Sequence, residues 1–332
     1  VKEVAAFSKL FHINETTFPE AAAETFRFQR AGNPLYHRFC ELVGAGSVVE
    51  DPARFPFLPI SFFKTHAVQT TAFEPELVFE SSGTTGAGTS RHRVRERAWY
   101  DAVSKAGFEA QYGSLSGWCI LALLPSYLER GQSSLVHMVQ HFMNESGHPL
   151  NGFYLYEHAA LARQLAQLEA AGQKTLLIGV TYALLDFAAA FPMPLKHTVV
   201  METGGMKGRR RELLRSEVHD RLCAAFSREH IHSEYGMTEL LSQAYAPAGG
   251  LFQCPPWMQV WVAAEDDPGD LSRRPGKAGR LCVMDLANRW SCSFIATEDV
   301  ARLHPDGRFE VLGRMDHSDV RGCSLMVVSR ES

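Results

Sequence analysis

KTLLIGVTYALLDFAAAFPMPLKHTVVMETGG, residues 174–205, contains a strand, a helix and a second strand in one run. KTLLIGV (174–180) is an unbroken apolar stretch of strand length. TYALLDFAAAF (181–191) is rich in helix formers, and HTVVMETGG (197–205) returns to β-branched residues before two glycines. The alternation extends in both directions. WCILALLP (118–125) and GFYLYE (152–157) predict strands, while residues 129–146 and HAALARQLAQLEAAG (158–172) predict helices. RRRELLRSEVHDRLCAAF (209–226) then predicts a helix and HIHSEYG (230–236) a strand. Strands alternating with helices of this length imply βαβ units, hence an α/β fold with a mostly parallel sheet flanked by helices. Ligands of such sheets bind beyond the carboxyl ends of the strands, where SSGTTG (81–86), METGGMKG (201–208) and YGMTE (235–239) all fall.

After about residue 250 the texture changes. MQVWVAAE, GRLCVMDL, CSFIATED, and VARL with RFEVLG across the turn His304 to Gly307 predict short strands, a β-rich subdomain appended to the α/β core. The expected division is 1–250 for the core, 251–313 for the β-rich part and 314–332 for a short C-terminal stub.

The 332 residues are 45% hydrophobic, ample for a buried core, and the net charge of −4 gives no sign of a nucleic-acid surface. The first residues lack a signal-peptide core and no stretch has the roughly 18 apolar residues of a membrane helix, so the expected location is cytoplasmic. Seven cysteines are scattered without a CxxC pair, which predicts reduced core thiols rather than a zinc site or a disulfide framework. His137 and His141 fall in an apolar helical pattern, where packing is the expectation over metal ligation.

FESSGTTGAGTS (79–90) ends an apolar run in small hydroxyls and glycines. Gly83, Gly88 and Ser90 stand at P-loop spacing, but Thr89 occupies the lysine position, so an ordinary P-loop ATPase is excluded. Such a loop still suits phosphate, through backbone N–H groups that glycine lets the chain aim at one anion. A surface turn is the competing reading.

The order SSGTTG, YGMTE, TEDVARL (297–303) and GRMDHSDVRG (313–322) resembles the adenylate-forming enzymes. FLPISFFKTH (57–66), LLPSYLERGQSSLVHM (123–138), GVTYALLDF (179–187), METGGMKGRR (201–210) and RGCSLM (321–326) narrow the resemblance to the LuxE acyl-protein synthetase family, from about residue 55 onward. The resemblance implies that Ser81, Ser82, Gly83, Thr84, Thr85 and Gly86 wrap the phosphates of ATP. Thr238 would touch the α-phosphate and Glu239 would help hold Mg²⁺, a hard cation that prefers oxygen. Asp299 would accept from the ribose hydroxyls and Arg314 would bind ribose or phosphate oxygens. Glu234 and Tyr235 would line the adenine pocket, Gly236 is a further nucleotide-binding position, and Gly204 and Gly205 would let backbone come close to the nucleotide. An Asp299–Arg314 surface ion pair and a solvated Glu239 are the plain alternatives.

The reaction implied is ATP-dependent activation of a fatty acid as acyl-AMP. Transfer to a cysteine thiol follows, for delivery to a partner such as a fatty-acyl reductase. Cys323, ten residues from the end of RGCSLMVVSRES, would carry the acyl group, with a small apolar filler as its alternative. The adenylate-forming pattern continues past the GRxD segment into a lid with a catalytic lysine, and here that lid is expected to be largely missing. Lys64, Lys207 and His92 are candidates for the activating cation. An apolar tunnel lined by Val180, Leu184, Leu185 and Phe187 would hold the acid, with ordinary core packing as the equal alternative for the same residues. An acid:coenzyme A ligase and an inactive nucleotide-binding scaffold are the other readings of the same motifs.

Overall fold

The computed structural model describes residues 9–46, 50–81, 88–125, 132–204, 213–264 and 271–315. Two six-stranded sheets and one hairpin organise them. The first sheet is built from β4 (Cys119–Leu123), β5 (Gly152–Tyr154), β6 (Thr175–Val180), β7 (Thr198–Thr203), β8 (His232–Tyr235) and β9 (Ala244–Ala246). Its order is β5-β4-β6-β7-β8-β9, parallel throughout except for β9. Every residue of β4 and β6 is buried, as expected of parallel strands covered on both faces. The covering helices are α4 (Arg97–Tyr112), α5 (Ser134–Ser146), α6 (His158–Ala170), α7 (Thr181–Ala190) and α8 (Arg215–Phe226). The strand–helix alternation expected between residues 118 and 236 is therefore present, with ends shifted by a few residues.

The second sheet is mostly antiparallel and comprises β1 (Leu58–Pro59), β10 (Met258–Ala263), β11 (Leu271–Ser272), β12 (Ala278–Asp285), β13 (Phe294–Leu303) and β14 (Phe309–Arg314). It is not confined to residues after 250. β1 pairs in parallel with β13, Leu58 against Ile295 and Pro59 against Ala296. Two N-terminal helices, α1 (Phe18–Gly32) and α2 (Pro34–Leu42), pack on it. Phe26 stacks on Phe55 at 4.5 Å and Tyr36 on Phe294 at 5.9 Å, so an aromatic cluster draws the N-terminal segment onto the late strands. Asn33 separates the two helices. Its side chain accepts from the Tyr36 N–H and Pro34 follows it, a helix start that cannot continue the helix before it. CSFIATED and VARL, expected as separate strands, form the single strand β13. A register shift between Val300 and Ala301 absorbs the irregularity.

The hairpin of β2 (Leu77–Glu80) and β3 (Arg91–Val94) and the short helix α3 (Phe62–Thr65) lie close to both sheets. The sheets meet where Phe252 and Phe309 exchange backbone hydrogen bonds of 2.7 and 3.0 Å. That seam brings the carboxyl end of β8 to the β13–β14 pair.

Candidate active site

At the base of the glycine-rich loop, Ser81 N–H donates to the Ser90 carbonyl at 3.0 Å and Ser90 N–H donates to Ser81 Oγ at 2.9 Å. Ser82, Gly83, Thr84, Thr85 and Gly86 lie outside the described residues. The neck lies beside the second motif, since the buried Ser90 side chain is close enough to the Glu239 carboxyl to lower its pKa. Ser90 thus joins two motifs that are far apart in sequence.

Glu239 is buried. Desolvation pushes its carboxyl pKa up, while the Ser90 hydroxyl and the positive charges of Arg314 and Lys64 pull it back. The half-buried Lys64 follows Phe63 on α3, whose ring packs edge-on against His92 at 5.9 Å. Thr238 precedes Glu239 on the same turn. A single buried carboxylate backed by a hydroxyl is the kind of oxygen donor that Mg²⁺ takes alongside phosphate oxygens, so the residues present fit that cation.

His92 is not the activating cation. It is 1% exposed, with Nδ1 2.8 Å from the Thr238 carbonyl and Nε2 3.0 Å from Asn288 Oδ1. Burial lowers its pKa to about 4 while both contacts pull it back up, and with both ring nitrogens held by protein oxygens inside the core neither is free to meet a substrate.

Across the seam, β13 and β14 set Asp299 directly opposite Arg314. Tyr235 OH donates to Asp299 Oδ2 at 2.7 Å, and Arg314 Nε lies 3.3 Å from Oδ1. The Asp299 side chain is 11% exposed and that of Arg314 75%, so one end of the pair is anchored and the other open to solvent. Desolvation, followed by the Asp299 carboxylate, raises the Tyr235 phenol well above its ordinary pKa, so it stays a donor.

Glu234 and Tyr235 leave β8 on opposite faces, as neighbours in a strand must. Tyr235 faces the seam, whereas Glu234 takes a hydrogen bond from the Thr203 hydroxyl. A Cβ on Gly236 would collide with Glu234 Oε1, so any larger residue there would have to displace that buried carboxyl. Burial raises the Glu234 pKa to about 7, the Thr203 bond opposes the rise, and neighbouring Glu202 adds to it. Glu202 is also buried, yet the hydrogen bonds and charges of His219 and Arg215 outweigh desolvation and keep its pKa low. Gly204, at φ +67°, ends β7 with its carbonyl accepting from Thr181 Oγ1 at 2.6 Å.

Gly205, Lys207 and Cys323 lie outside the described residues. Of the residues read as either tunnel lining or core, Leu185 is half-buried and the other three pack as core. Val180, Leu184 and Phe187 are sealed in core, and Phe187 packs on Phe191, Phe226 and His158 between helices rather than around a cavity. His137 bonds Asp101 at 2.7 Å, a packing role. The motif reading missed Asn288 and Asp285. Asp285 accepts from Leu241 N–H and Ser242 N–H, each at 2.9 Å, and from Ser242 Oγ at 2.7 Å, holding the turn that follows Glu239. The signal was present in LCVMDLANRWSCSF, where polar residues interrupt an apolar run.

No protein-family model matches the chain. Its structure is similar to an open conformation of 2-hydroxyisobutyryl-CoA ligase in complex with 2-HIB-AMP and CoA. The TM-score is 0.63 at 12% identity, covering 91% of this chain and 70% of that one. It is also similar to ATP-bound MatB from Rhodopseudomonas palustris, with a TM-score of 0.56 at 15% identity over 82% of this chain. The fold is that of the adenylate-forming enzymes. The chain spans about half the length of MatB, 51%. In sequence it is 24% identical over 331 residues to a long-chain-fatty-acid–luciferin-component ligase of Vibrio harveyi, covering 90% of this chain and 84% of that protein. The resemblance drawn from the motifs and the similarity over the whole chain therefore point to the same relatives.

Proposed function

We propose that the protein activates a fatty acid with ATP and Mg²⁺ and passes the acyl group to its own Cys323, for delivery to a partner acyl reductase or transferase. The observation that carries this reading is the convergence on one buried carboxyl, that of Glu239: the Ser90 side chain, which belongs to the hydrogen-bonded neck Ser81–Ser90, lies beside it, and Arg314 of the Asp299 pair acts on it. It supports a mononucleotide lying between the two sheets, ribose toward Asp299 and phosphates toward the loop.

In the first step a carboxylate oxygen of the acid attacks the α-phosphorus. The P–O bond to the β-phosphate breaks, and pyrophosphate leaves with the electron pair. Mg²⁺ offsets the charge that develops on the phosphate oxygens. Lys64, already close enough to act on Glu239, supplies a second positive charge from the protein. In the second step the Cys323 thiolate attacks the acyl carbon, the C–O bond to AMP breaks, and AMP departs. The other cysteines support this assignment by their character. Burial raises the thiols of Cys40 and Cys119 to about 11 and those of Cys254, Cys282 and Cys292 to about 12, and it also raises Cys223. All six are poor nucleophiles at neutral pH.

Intact-protein mass spectrometry after incubation with ATP, Mg²⁺ and mixed fatty acids tests the reading. The expected result is a mass gain of one acyl group that hydroxylamine removes and that is absent in Cys323→Ser. Free acyl-CoA on addition of coenzyme A, with no acyl-protein, would instead favour the acid:coenzyme A ligase suggested by the name of the 2-hydroxyisobutyryl-CoA relative.

A further inference from the structure

We propose that His92 and Asn288 form a buried clamp that positions the Thr238–Glu239 dipeptide, a proposal that rests on the nucleotide site described under the proposed function. His92 Nδ1 donates to the Thr238 carbonyl at 2.8 Å. Asn288 Nδ2 donates to the Glu239 carbonyl at 2.7 Å, and its Oδ1 lies 3.0 Å from His92 Nε2. Two consecutive main-chain carbonyls are thus tied to two side chains that touch each other, and both are about 1% exposed. The clamp uses only backbone atoms of the dipeptide. Neither the Thr238 nor the Glu239 side chain is consumed by it.

The clamp is itself fixed from outside. Gln29 on α1 donates to the Asn288 carbonyl at 3.0 Å, to the Arg289 carbonyl at 2.9 Å and to Ser293 Oγ at 3.1 Å, while Ser293 N–H donates back to Gln29 Oε1 at 2.9 Å. Phe63 closes the ring edge of His92. The hairpin, the loop before β13 and the N-terminal helix therefore converge on one turn. His92 and Asn288 are positioning residues that act through Thr238 and Glu239.

Two replacements of His92 separate positioning from stability. In Asn the amide nitrogen stands as many bonds from Cβ as Nδ1 does, so His92→Asn keeps a donor for Thr238. In Gln it stands where Nε2 does, so His92→Gln reaches only Asn288. Both remove the ring from Phe63 and should lower the melting temperature alike. The measurements are amide hydrogen exchange of residues 236–242 without nucleotide, and kcat and KM for ATP in acid-dependent pyrophosphate exchange. Because small displacements of reacting groups are costly, His92→Gln and Asn288→Ala should lose about a hundredfold in kcat/KM for ATP with KM for the acid within about twofold, whereas His92→Asn should stay within about threefold of the parent. Exchange of 236–242 should rise in the first two variants and not in the third. Equal losses in His92→Asn and His92→Gln, or unchanged exchange of 236–242 in Asn288→Ala, would overturn the clamp. A parent protein without pyrophosphate exchange would instead defeat the activity reading, and hydrogen exchange would still decide the clamp.

Discussion

The two sheets reach the site with opposite interiors. The parallel sheet is apolar along β4 and, after Thr175, along β6; it buries small hydroxyls at Thr175, Thr198 and Ser233, and its buried carboxyls, Glu202 and Glu234, stand with Thr203 and Tyr235 toward the carboxyl ends of β7 and β8. The antiparallel sheet and its helices bury Gln29, Asn33, Thr70, Asp285, Asn288, Ser291, Ser293 and Asp299 among aromatic rings. In the first sheet, packing builds a platform and function sits on its rim. In the second, a hydrogen-bond network runs through the core and ends on the turn that carries Thr238 and Glu239. Deleting a polar group should therefore cost far more stability in the second sheet than at the edge of the site.

Asp285→Ala is the strongest test. It strands the Leu241 and Ser242 N–H groups, the Ser242 hydroxyl and the Ala287 N–H, and should destabilise the protein by about 3–5 kcal/mol, seen as a large drop in urea midpoint. A loss like that of an ordinary surface substitution would erase the contrast.

Glu234 sharpens it from the other side. Its folded pKa of about 7 lies above the ordinary 4.5, so between these values the folded state binds more protons than the unfolded one. Stability should then fall as pH rises from about 4.5 to 7, by at most about 3 kcal/mol, and level off above. Glu234→Gln should remove that slope in urea titrations across the same pH range, leaving the variant the more stable of the two at pH 8.

Gln29→Leu comes next. Its four bonds to the segment 288–293 should be worth about 2 kcal/mol, measured by thermal or urea unfolding. The smallest effect belongs to Arg314→Ala. With a side chain 75% exposed it should cost under about 1 kcal/mol of stability. Its KM for ATP should nevertheless rise, because the guanidinium faces the expected ribose and phosphates.

The same contrast governs what the residue pattern reveals. Between 118 and 236 strands such as CILAL and TLLIGV are apolar runs alternating with helices of ten residues or more, so the existence of the elements, their succession along the chain and a mostly parallel sheet were legible. The motif order led to the expectation that Ser81, Glu239, Asp299 and Arg314 share one site; the structure bonds Ser81 to Ser90, sets Ser90 and Arg314 near enough to act on the Glu239 carboxyl, and pairs Asp299 with Arg314 across β13 and β14. Gln29, His92 and Asn288 were not legible as a unit. Their bonds span separations of 49 to 264 residues, and no local period marks a polar side chain whose partner is that distant. His92 stood among three candidates for the activating cation because its burial, with both ring nitrogens engaged, is a tertiary property. Helix α1 escaped notice for a related reason: its buried stripe includes Ala22, Ala23 and Gln29 beside Phe18 and Phe26, a seam too polar and too small to stand out.

The most direct test of the whole account is exchange of labelled pyrophosphate into ATP, with Mg²⁺, in the presence and absence of fatty acids of graded chain length. The account predicts label in ATP only when an acid is present, strongest over a narrow range of lengths, and abolished in Asp299→Ala. Label that appears without any acid, or none at any chain length, would contradict it.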